Sequence, residues 1–323
     1  MTRRPGRLAR RGAVLGVLVL GLAGCMTPAE DGPAPAEPGG TAEPDDTAEP
    51  TDEASATEMP VLQVREAGGY APAGTDFRTM PQLTVYADGR AVRQGPQIAI
   101  YPPPALPNPR VFELPEEDVD AFVTAAREAG LLDGAPDYGQ PLVADLPTTV
   151  VELRVDGETV RHEVPAFGFE RFPEGAPAGT DDVPTEDLLP TEDLGLTEEQ
   201  MAAREVLTEV LAMVGERFGA GEGASYDVTA FALLARAAVP GTVDDGLAPD
   251  TAPWPLADVG LSDLEECGLV AGEDAQVLAD ALADASTVTL FEQDGDLYEV
   301  WPRPLLPHET SCEDLPGPPT REG

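Results

Sequence analysis

The alternation of apolar and polar residues predicts antiparallel strands joined by tight turns over much of the chain. Strand-like runs flank three Asp-Gly pairs, at Asp88-Gly89, Asp156-Gly157 and Asp294-Gly295. An Asp-Gly pair supplies the positive φ angles that a two-residue turn needs, so each pair predicts a β-hairpin. A further strand is predicted over residues 61–66, where apolar and polar side chains alternate.

Helical spacing occurs between these strands. Apolar residues recur at near-helical intervals after Pro115, and this predicted helix ends at Gly130. Thr197 and Gln200 predict the capping box of a second helix. A third helix is predicted over residues 272–285, and a long strand is predicted over residues 226–235. Because strands and helices do not alternate strictly, the predicted fold class is α+β, with antiparallel β-hairpins and interspersed helices.

The first 24 residues have the pattern of an export signal. Five arginines precede an apolar run of about eleven residues, too short for a membrane span of about 20. The run ends in Leu22-Ala23-Gly24-Cys25, which resembles the lipobox of bacterial lipoproteins. The resemblance implies cleavage before Cys25 and lipid attached to Cys25. The alternative is an ordinary secretory signal with a chance cysteine.

Residues 25–58 are predicted to form a lipidated cysteine and a disordered tether. Residues 26–57 contain nine acids, six prolines and no basic or aromatic residue, so they lack the apolar surface needed to fold. The extracytoplasmic domain is predicted over residues 59–315, with 59–175 and 196–315 as sub-repeats in one interpretation. Residues 316–323 are predicted to be a disordered tail.

Charge limits the classes of partner. The formal net charge is −41, and it becomes −46 once the signal with its five arginines is removed. Such a field repels phosphate backbones, so nucleic acid is excluded and membrane contact is expected through the lipid on Cys25. The chain has no lysine, which excludes P-loop and pyridoxal Schiff-base chemistry, and no cofactor is predicted.

The cysteine count agrees with export. If Cys25 carries lipid, Cys267 and Cys312 remain, an even number in an oxidising compartment. We expect these two residues to form a disulfide. The alternative is a pair of buried free thiols.

No convergent set of catalytic or metal-binding residues is apparent. The chain has only two histidines: His162 is predicted to be structural, and His308 lacks any nucleophile-elbow serine. Neither Asp244-Asp245-Gly246 nor the 294–296 turn completes a calcium loop. The glycines at 219–223 follow a helix, whereas a phosphate-binding loop precedes one. We therefore predict no catalytic residue and no metal site.

Two uncharged segments are candidates for a partner surface. Tyr101-Pro102-Pro103-Pro104 and Trp254 carry the aromatic and proline side chains that present pre-ordered shapes. The alternative is that each is part of a rigid loop packed on its own domain.

Three stretches outside the lipobox, residues 81–90, 146–150 and 303–312, resemble a group of uncharacterised lipoproteins of high-GC Gram-positive bacteria. This resemblance implies an extracytoplasmic location and carries over no catalytic residue. The expected function is that of a non-enzymatic, lipid-anchored protein at the cell membrane, binding an unknown protein or cell-envelope partner. The alternatives are a solute-binding lipoprotein of a transporter and a carboxylate-dependent cell-envelope hydrolase.

We predict that Cys25→Ser leaves an uncleaved precursor without lipid, because the lipobox resemblance implies that the lipid is attached to the Cys25 thiol. Metabolic labelling with a radioactive fatty acid, followed by electrophoresis, measures both effects. A lipid-labelled Cys25→Ser product would contradict the prediction.

Overall fold

The computed structural model describes residues 58–71, 74–169, 194–218, 223–238 and 249–316. The predicted signal, Cys25 and the tether up to residue 57 lie outside the described residues. So do Asp244-Asp245-Gly246 and the tail from residue 317 onward.

The first sheet contains seven strands in the order β6-β5-β1-β2-β3-β4-β7. All neighbouring strands in it are antiparallel. The strands are β1 Pro60–Ala67, β2 Leu83–Tyr86, β3 Arg90–Gln94, β4 Pro109–Glu113, β5 Thr148–Val155, β6 Glu158–Pro165 and β7 Ala224–Ser225. The described α-helices are α1 Thr75–Arg78, α2 Glu116–Glu128, α3 Glu198–Gly215 and α4 Glu273–Ala283.

Helices α2 and α3 cover one face of the first sheet. Phe122 of α2 and Leu207 of α3 belong to one buried cluster with Leu62, Val85 and Leu153 of the strands. Burial of this apolar surface holds the helices on the sheet. The capping box of α3 is confirmed: Thr197 Oγ1 accepts from the Gln200 amide, and Gln200 Oε1 accepts from the Thr197 amide.

The second sheet contains five strands in the order β10-β8-β12-β11-β9. They are β8 Ala230–Ala237, β9 Thr251–Pro253, β10 Gly268–Ala271, β11 Leu290–Gln293 and β12 Asp296–Pro304. The neighbours are antiparallel except β9 and β11, which run parallel. Helix α4 covers one face, where Leu278 and Leu282 join Phe231 and Phe291 in a buried cluster.

Each sheet has a second face that α2, α3 and α4 do not cover. The same segment of chain packs against this second face of both sheets. We call residues 305–316, which follow β12, the strap. Leu305 of the strap packs with Leu234 of the second sheet, and Leu306 packs with Tyr86 of the first. Phe77 of α1 joins the Leu305 cluster. The strap and α1 therefore lie between the sheets and connect them.

A disulfide pins the strap to the second sheet. The sulfur atoms of Cys267 and Cys312 are 2.04 Å apart, and 45 residues separate the two cysteines along the chain. Cys267 lies directly before β10 and packs in the same cluster as Leu305 and Leu315 of the strap. Closing a loop of this length stabilises the fold by about 4 kcal/mol in the chain-entropy model.

The α+β fold class is confirmed, and the structure differs from the predicted elements at two points. The first hairpin has three loop residues, and among them only Gly89 has a positive φ, of 86°. A side chain at Gly89 would collide with the Leu114 carbonyl, which explains the glycine. The strand predicted at residue 226 begins at Ala230, because the Tyr226 amide donates to the Pro109 carbonyl instead.

The division into sub-repeats does not follow the layers, since α3, from the second half, packs on a sheet built mainly from the first half. Among the described residues, no helix is long and apolar enough to cross a membrane.

Candidate binding site

An open cleft of about 820 Å³ lies where the two sheets approach each other. One wall comes from the first sheet and α1, through Gln82, Gln94 and Arg78. The other comes from the second sheet, through Val300 and Pro302 of β12. The cleft exists because the strap and α1 set the spacing of the two sheets.

The lining of the cleft is poor in charge. Of the residues that line it, only Glu66 and Arg78 are charged, whereas 24% of the whole chain is charged. The polar lining is supplied mainly by amides and hydroxyls: Gln82, Gln94, Gln97, Thr75, Thr79 and Thr287. Within the described part of the chain, the buried Oε1 of Gln94 has no hydrogen-bond partner.

The loop between β3 and β4 forms one lip of the cleft. Residues 94–109 contain no charged side chain. Ile98, Ile100 and Tyr101 in this loop are 64%, 56% and 69% exposed, respectively. Adjacent exposed apolar side chains are typical of an interaction surface, unlike apolar residues scattered singly.

The predicted partner-surface residues separate into two places. Tyr101, Pro103 and Pro104 line the cleft, and a cis peptide bond joins Tyr101 to Pro102. The same segment also packs on its own domain, since the Thr287 amide donates to the Pro103 carbonyl. The end of the loop is therefore docked on its own domain, whereas its beginning is exposed.

Trp254 lies outside the cleft lining, half-buried against the core of the second sheet. Its indole nitrogen donates to the Val259 carbonyl at 2.9 Å, and its ring packs edge-to-face on Phe291 at 5.5 Å. Both contacts are explained by packing.

A buried ion pair joins β12 to the strap beside the cleft. Arg303 Nη2 donates to Glu309 Oε1 at 2.8 Å, and the two residues are 1% and 6% exposed. The second Glu309 oxygen accepts from the Leu306 amide at 2.8 Å, and Arg303 Nη1 donates to the Pro304 carbonyl. Burial lowers the pKa of Arg303 and raises the pKa of Glu309 relative to their usual values.

His308 connects the strap to the first sheet. Its Nε2 lies 3.0 Å from Gln63 Nε2, and its Nδ1 lies 3.0 Å from the Tyr86 hydroxyl. Because the Gln63 amide nitrogen can only donate, Nε2 accepts, and Nδ1 donates its proton to the Tyr86 oxygen. Burial, and then the charge of Arg303, lower the His308 pKa to about 4. The ring is therefore neutral at pH 7.

The arrangement around His308 is not that of a hydrolase triad. Both ring nitrogens are engaged by Gln63 and Tyr86, while Ser311 Oγ accepts from the Glu313 amide. The other histidine, His162, is buried between the Tyr138 hydroxyl and the Leu131 carbonyl, and burial lowers its pKa. This agrees with the structural role predicted for it.

Two acids of the strap line a second, smaller cavity of about 210 Å³. Burial raises the pKa of Glu309. Burial also acts to raise the pKa of Asp314, but hydrogen bonds from Thr310 and Ser311 outweigh it and lower that pKa. The hydrolase alternative expects two acids with raised pKa values in one groove, and this pair does not provide them.

The described residues contain no group of three or more histidine, cysteine, aspartate or glutamate side chains placed to hold a metal ion.

Comparisons with protein-family models, with curated proteins and with solved structures found no match to this chain. The lipoprotein resemblance therefore stays an expectation from the sequence.

Sequence reasoning missed the Arg303–Glu309 pair and the amides of the cleft. The available signal was Arg303 itself, which stands between Pro302 and Pro304 in a run whose other members are apolar. A charged residue in such a run is rarely buried without a partner.

We predict that stability falls as the pH is lowered from about 6.5 to about 4, in part because of His308. The folded state keeps the His308 ring neutral in this pH window, so the unfolded state binds more protons. Lowering the pH therefore stabilises the unfolded state relative to the folded state. The pKa difference corresponds to at most about 3 kcal/mol. His308→Gln should remove this share of the pH dependence, as measured by urea unfolding at several pH values.

His162→Gln gives the share of the other histidine, whose pKa burial also lowers, and it leaves the strap contacts intact. If His308→Gln and wild type lose the same free energy between these pH values, the account of His308 is wrong.

Proposed function

We propose that this protein is a lipid-anchored cell-surface protein that acts by binding. Its extracytoplasmic domain would hold an uncharged, extended polypeptide segment of a cell-envelope partner in the cleft between the two sheets. Lipid on Cys25 would anchor the protein in the membrane, and the segment after Cys25 would let the domain extend away from it. The observation that carries the proposal is the charge-poor cleft with its exposed apolar lip.

Charge supports this choice of partner. The cleft belongs to a chain with a formal net charge of −41, so a strongly acidic ligand would be repelled on approach. A basic ligand would find one carboxylate in the lining, Glu66, with Arg78 in the same cleft. An uncharged segment meets neither obstacle, and depletion of charge is typical of the cores of protein interfaces.

The polar groups of the lining also suit a polypeptide backbone. Each glutamine side chain offers both an acceptor and donors, as a peptide group does. Gln82, Gln94 and Gln97 place three such groups in one cleft. The buried Gln94 Oε1, unpartnered among the described residues, would gain stability if a rearranged side chain met a ligand N–H.

The apolar lip supplies contact area. Tyr101 lines the cleft, and Ile98 and Ile100 extend the same surface outward. Aromatic side chains at the centre of an interface supply much of its binding energy. Pro103 and Pro104 hold the loop against the second sheet, so little backbone entropy is lost on binding.

The solute-binding alternative shares the cleft, whose volume is within the range of small-molecule sites. The two alternatives differ in whether the partner also covers the exposed lip, since a small solute in the cleft leaves Ile98 and Ile100 open to solvent.

We predict that a photo-crosslinking amino acid placed at Ile98 or at Ile100 captures a discrete polypeptide on intact cells that carry the anchored protein. Leu142 is the matched control position, because it is apolar and 78% exposed but lies in the segment between α2 and β5, of which no residue lines the cleft. Mass spectrometry of the adduct should identify an uncharged segment at the crosslink.

Tyr101→Ser should reduce the adduct severalfold, whereas Tyr70→Ser, which removes a tyrosine that is 91% exposed, should not. Equal labelling from positions 98, 100 and 142 would overturn the proposal. An adduct that is unaffected by Tyr101→Ser would also overturn it.

A further inference from the structure

The small cavity beside the strap is separate from the cleft and has the opposite character. Its volume is about 210 Å³, and most of its lining residues are charged or polar. One wall is the face of the first sheet away from α2 and α3, where Gln63 and Arg65 of β1 lie near Arg161 of β6. The other wall is Arg303 and the strap.

Three guanidinium groups therefore line one small cavity in a strongly acidic chain: Arg65, Arg161 and Arg303. Their positions follow from strand alternation. Leu62 and Val64 of β1 face the helices, so Gln63 and Arg65 point to the opposite face. On β6, His162 and Val164 face the helices, so Arg161 points to the same side as Arg65.

Arg65 differs from the other two because it makes no hydrogen bond or ion pair with any described residue. Arg161 donates to Glu152 at 2.7 Å and to Glu163 at 2.8 Å. Burial, and then the neighbouring charge of Arg161, lower the pKa of Arg65, and the nearby charges of Glu152, Asp76 and Glu163 offset only part of this lowering. A half-buried guanidinium is thus held beside a like charge without a directly bonded anion.

Arg303 adds a second unsatisfied group. Its side chain is almost fully buried and lines the cavity, and its Nε has no hydrogen-bond partner in the described part of the chain. A buried donor without an acceptor costs about 1–3 kcal/mol, so such groups in a stable fold call for a partner.

The acids of the cavity are already engaged. Glu309 binds Arg303 and the Leu306 amide. Asp314 accepts from Thr310 and Ser311, and Glu152 accepts from Arg161. None of the three has a hydrogen bond to Arg65, so the cavity holds a cation for which the described residues provide no directly bonded acceptor.

We propose that this cavity is a binding subsite for a single carboxylate group, held chiefly by the guanidinium of Arg65. A planar carboxylate matches the fork of an arginine and can accept two parallel hydrogen bonds. The cavity volume admits a small carboxylic acid or the end of a larger one.

A monoanion fits this cavity better than a phosphate. Glu152, Glu309 and Asp314 line the same space, and their charges repel a dianion more strongly than a carboxylate. Thr79 lines both this cavity and the cleft, so the two sites are neighbours. The subsite does not depend on the proposed polypeptide partner, because it rests on different residues.

The test uses the full chain purified in detergent, with acetate as the probe. Thermal unfolding is followed in sodium acetate and in sodium chloride at equal ionic strength and pH 7. A ligand that binds only the folded state raises the midpoint in proportion to the logarithm of its concentration. We expect acetate to raise the midpoint, and phosphate at the same ionic strength to raise it less.

Arg65→Gln should abolish the acetate-dependent rise and weaken acetate binding, measured by calorimetry, by about tenfold or more, as expected for a charged hydrogen bond. In chloride its midpoint should stay close to that of wild type, because the substitution breaks no described hydrogen bond and removes both the repulsion from Arg161 and the attraction of Glu152, Asp76 and Glu163. Arg127→Gln, which removes an exposed surface arginine 3.5 Å from Asp156, should keep the full acetate response.

Saturation-transfer NMR of acetate with the wild-type protein gives a readout that needs no variant. Equal midpoints in acetate and chloride, with no saturation transfer, would overturn the subsite. An Arg65→Gln variant that keeps the acetate response would overturn the assignment of the site to Arg65, and one that unfolds several degrees lower in chloride would show that Arg65 is structural. A larger response to phosphate would overturn the assignment to a carboxylate.

Discussion

The arrangement of this domain depends on one buried ion pair, between Arg303 at the end of β12 and Glu309 in the strap. Removing two charges from water is costly, and the cost is offset only when the remaining hydrogen-bonding groups are satisfied. Here both Glu309 oxygens are used, one by Arg303 and one by the Leu306 amide, and Arg303 Nε is the group of the pair that has no partner among the described residues. The strap is therefore held in one conformation against the second sheet.

The fixed strap in turn positions the first sheet. Leu306 packs against Tyr86, and His308 bonds to both Tyr86 and Gln63. The Cys267–Cys312 disulfide closes the other end of the strap onto the second sheet. The cleft and the small polar cavity are the spaces that this spacing leaves, so the two proposed binding sites are consequences of how the strap is held.

The two sites divide the chemistry of the surface between them. The cleft is lined by amides, hydroxyls and apolar groups with few charges, whereas the small cavity gathers three arginines. The chain has 60 acidic residues and only 19 basic ones, so three arginines around one small cavity are far more than its average composition would place there. Local cations of this kind let an acidic protein bind an anion that its overall field repels.

The sequence predicts local elements well because their causes are local. The turn at Asp156-Gly157, with φ values of 54° and 81°, and the capping box at Thr197 follow from residues a few positions apart. The short strands β9 and β10 could not be predicted, because three or four residues are ordered only by their partners across the sheet.

The sites could be predicted only in part. The uncharged segment at Tyr101 was visible as a candidate surface, but its place in a cleft depends on Val300 and Pro302, about 200 residues away. Likewise, strand alternation fixes which side of its own strand Arg65 or Arg161 occupies, yet their shared face and their proximity depend on the pairing of β1 and β6 with β5. Non-local strand pairing sets both sites, and no short-range pattern encodes it.

The most direct test of the central claim is the free energy of unfolding of Glu309→Ala compared with Glu313→Ala, an exposed glutamate in the same strap. Removing Glu309 leaves Arg303 buried without its anion, so we expect a loss of about 3–5 kcal/mol. Glu313→Ala should change stability by no more than about 0.5 kcal/mol. Equal stability of the two variants would contradict the claim that this pair holds the strap in place between the two sheets.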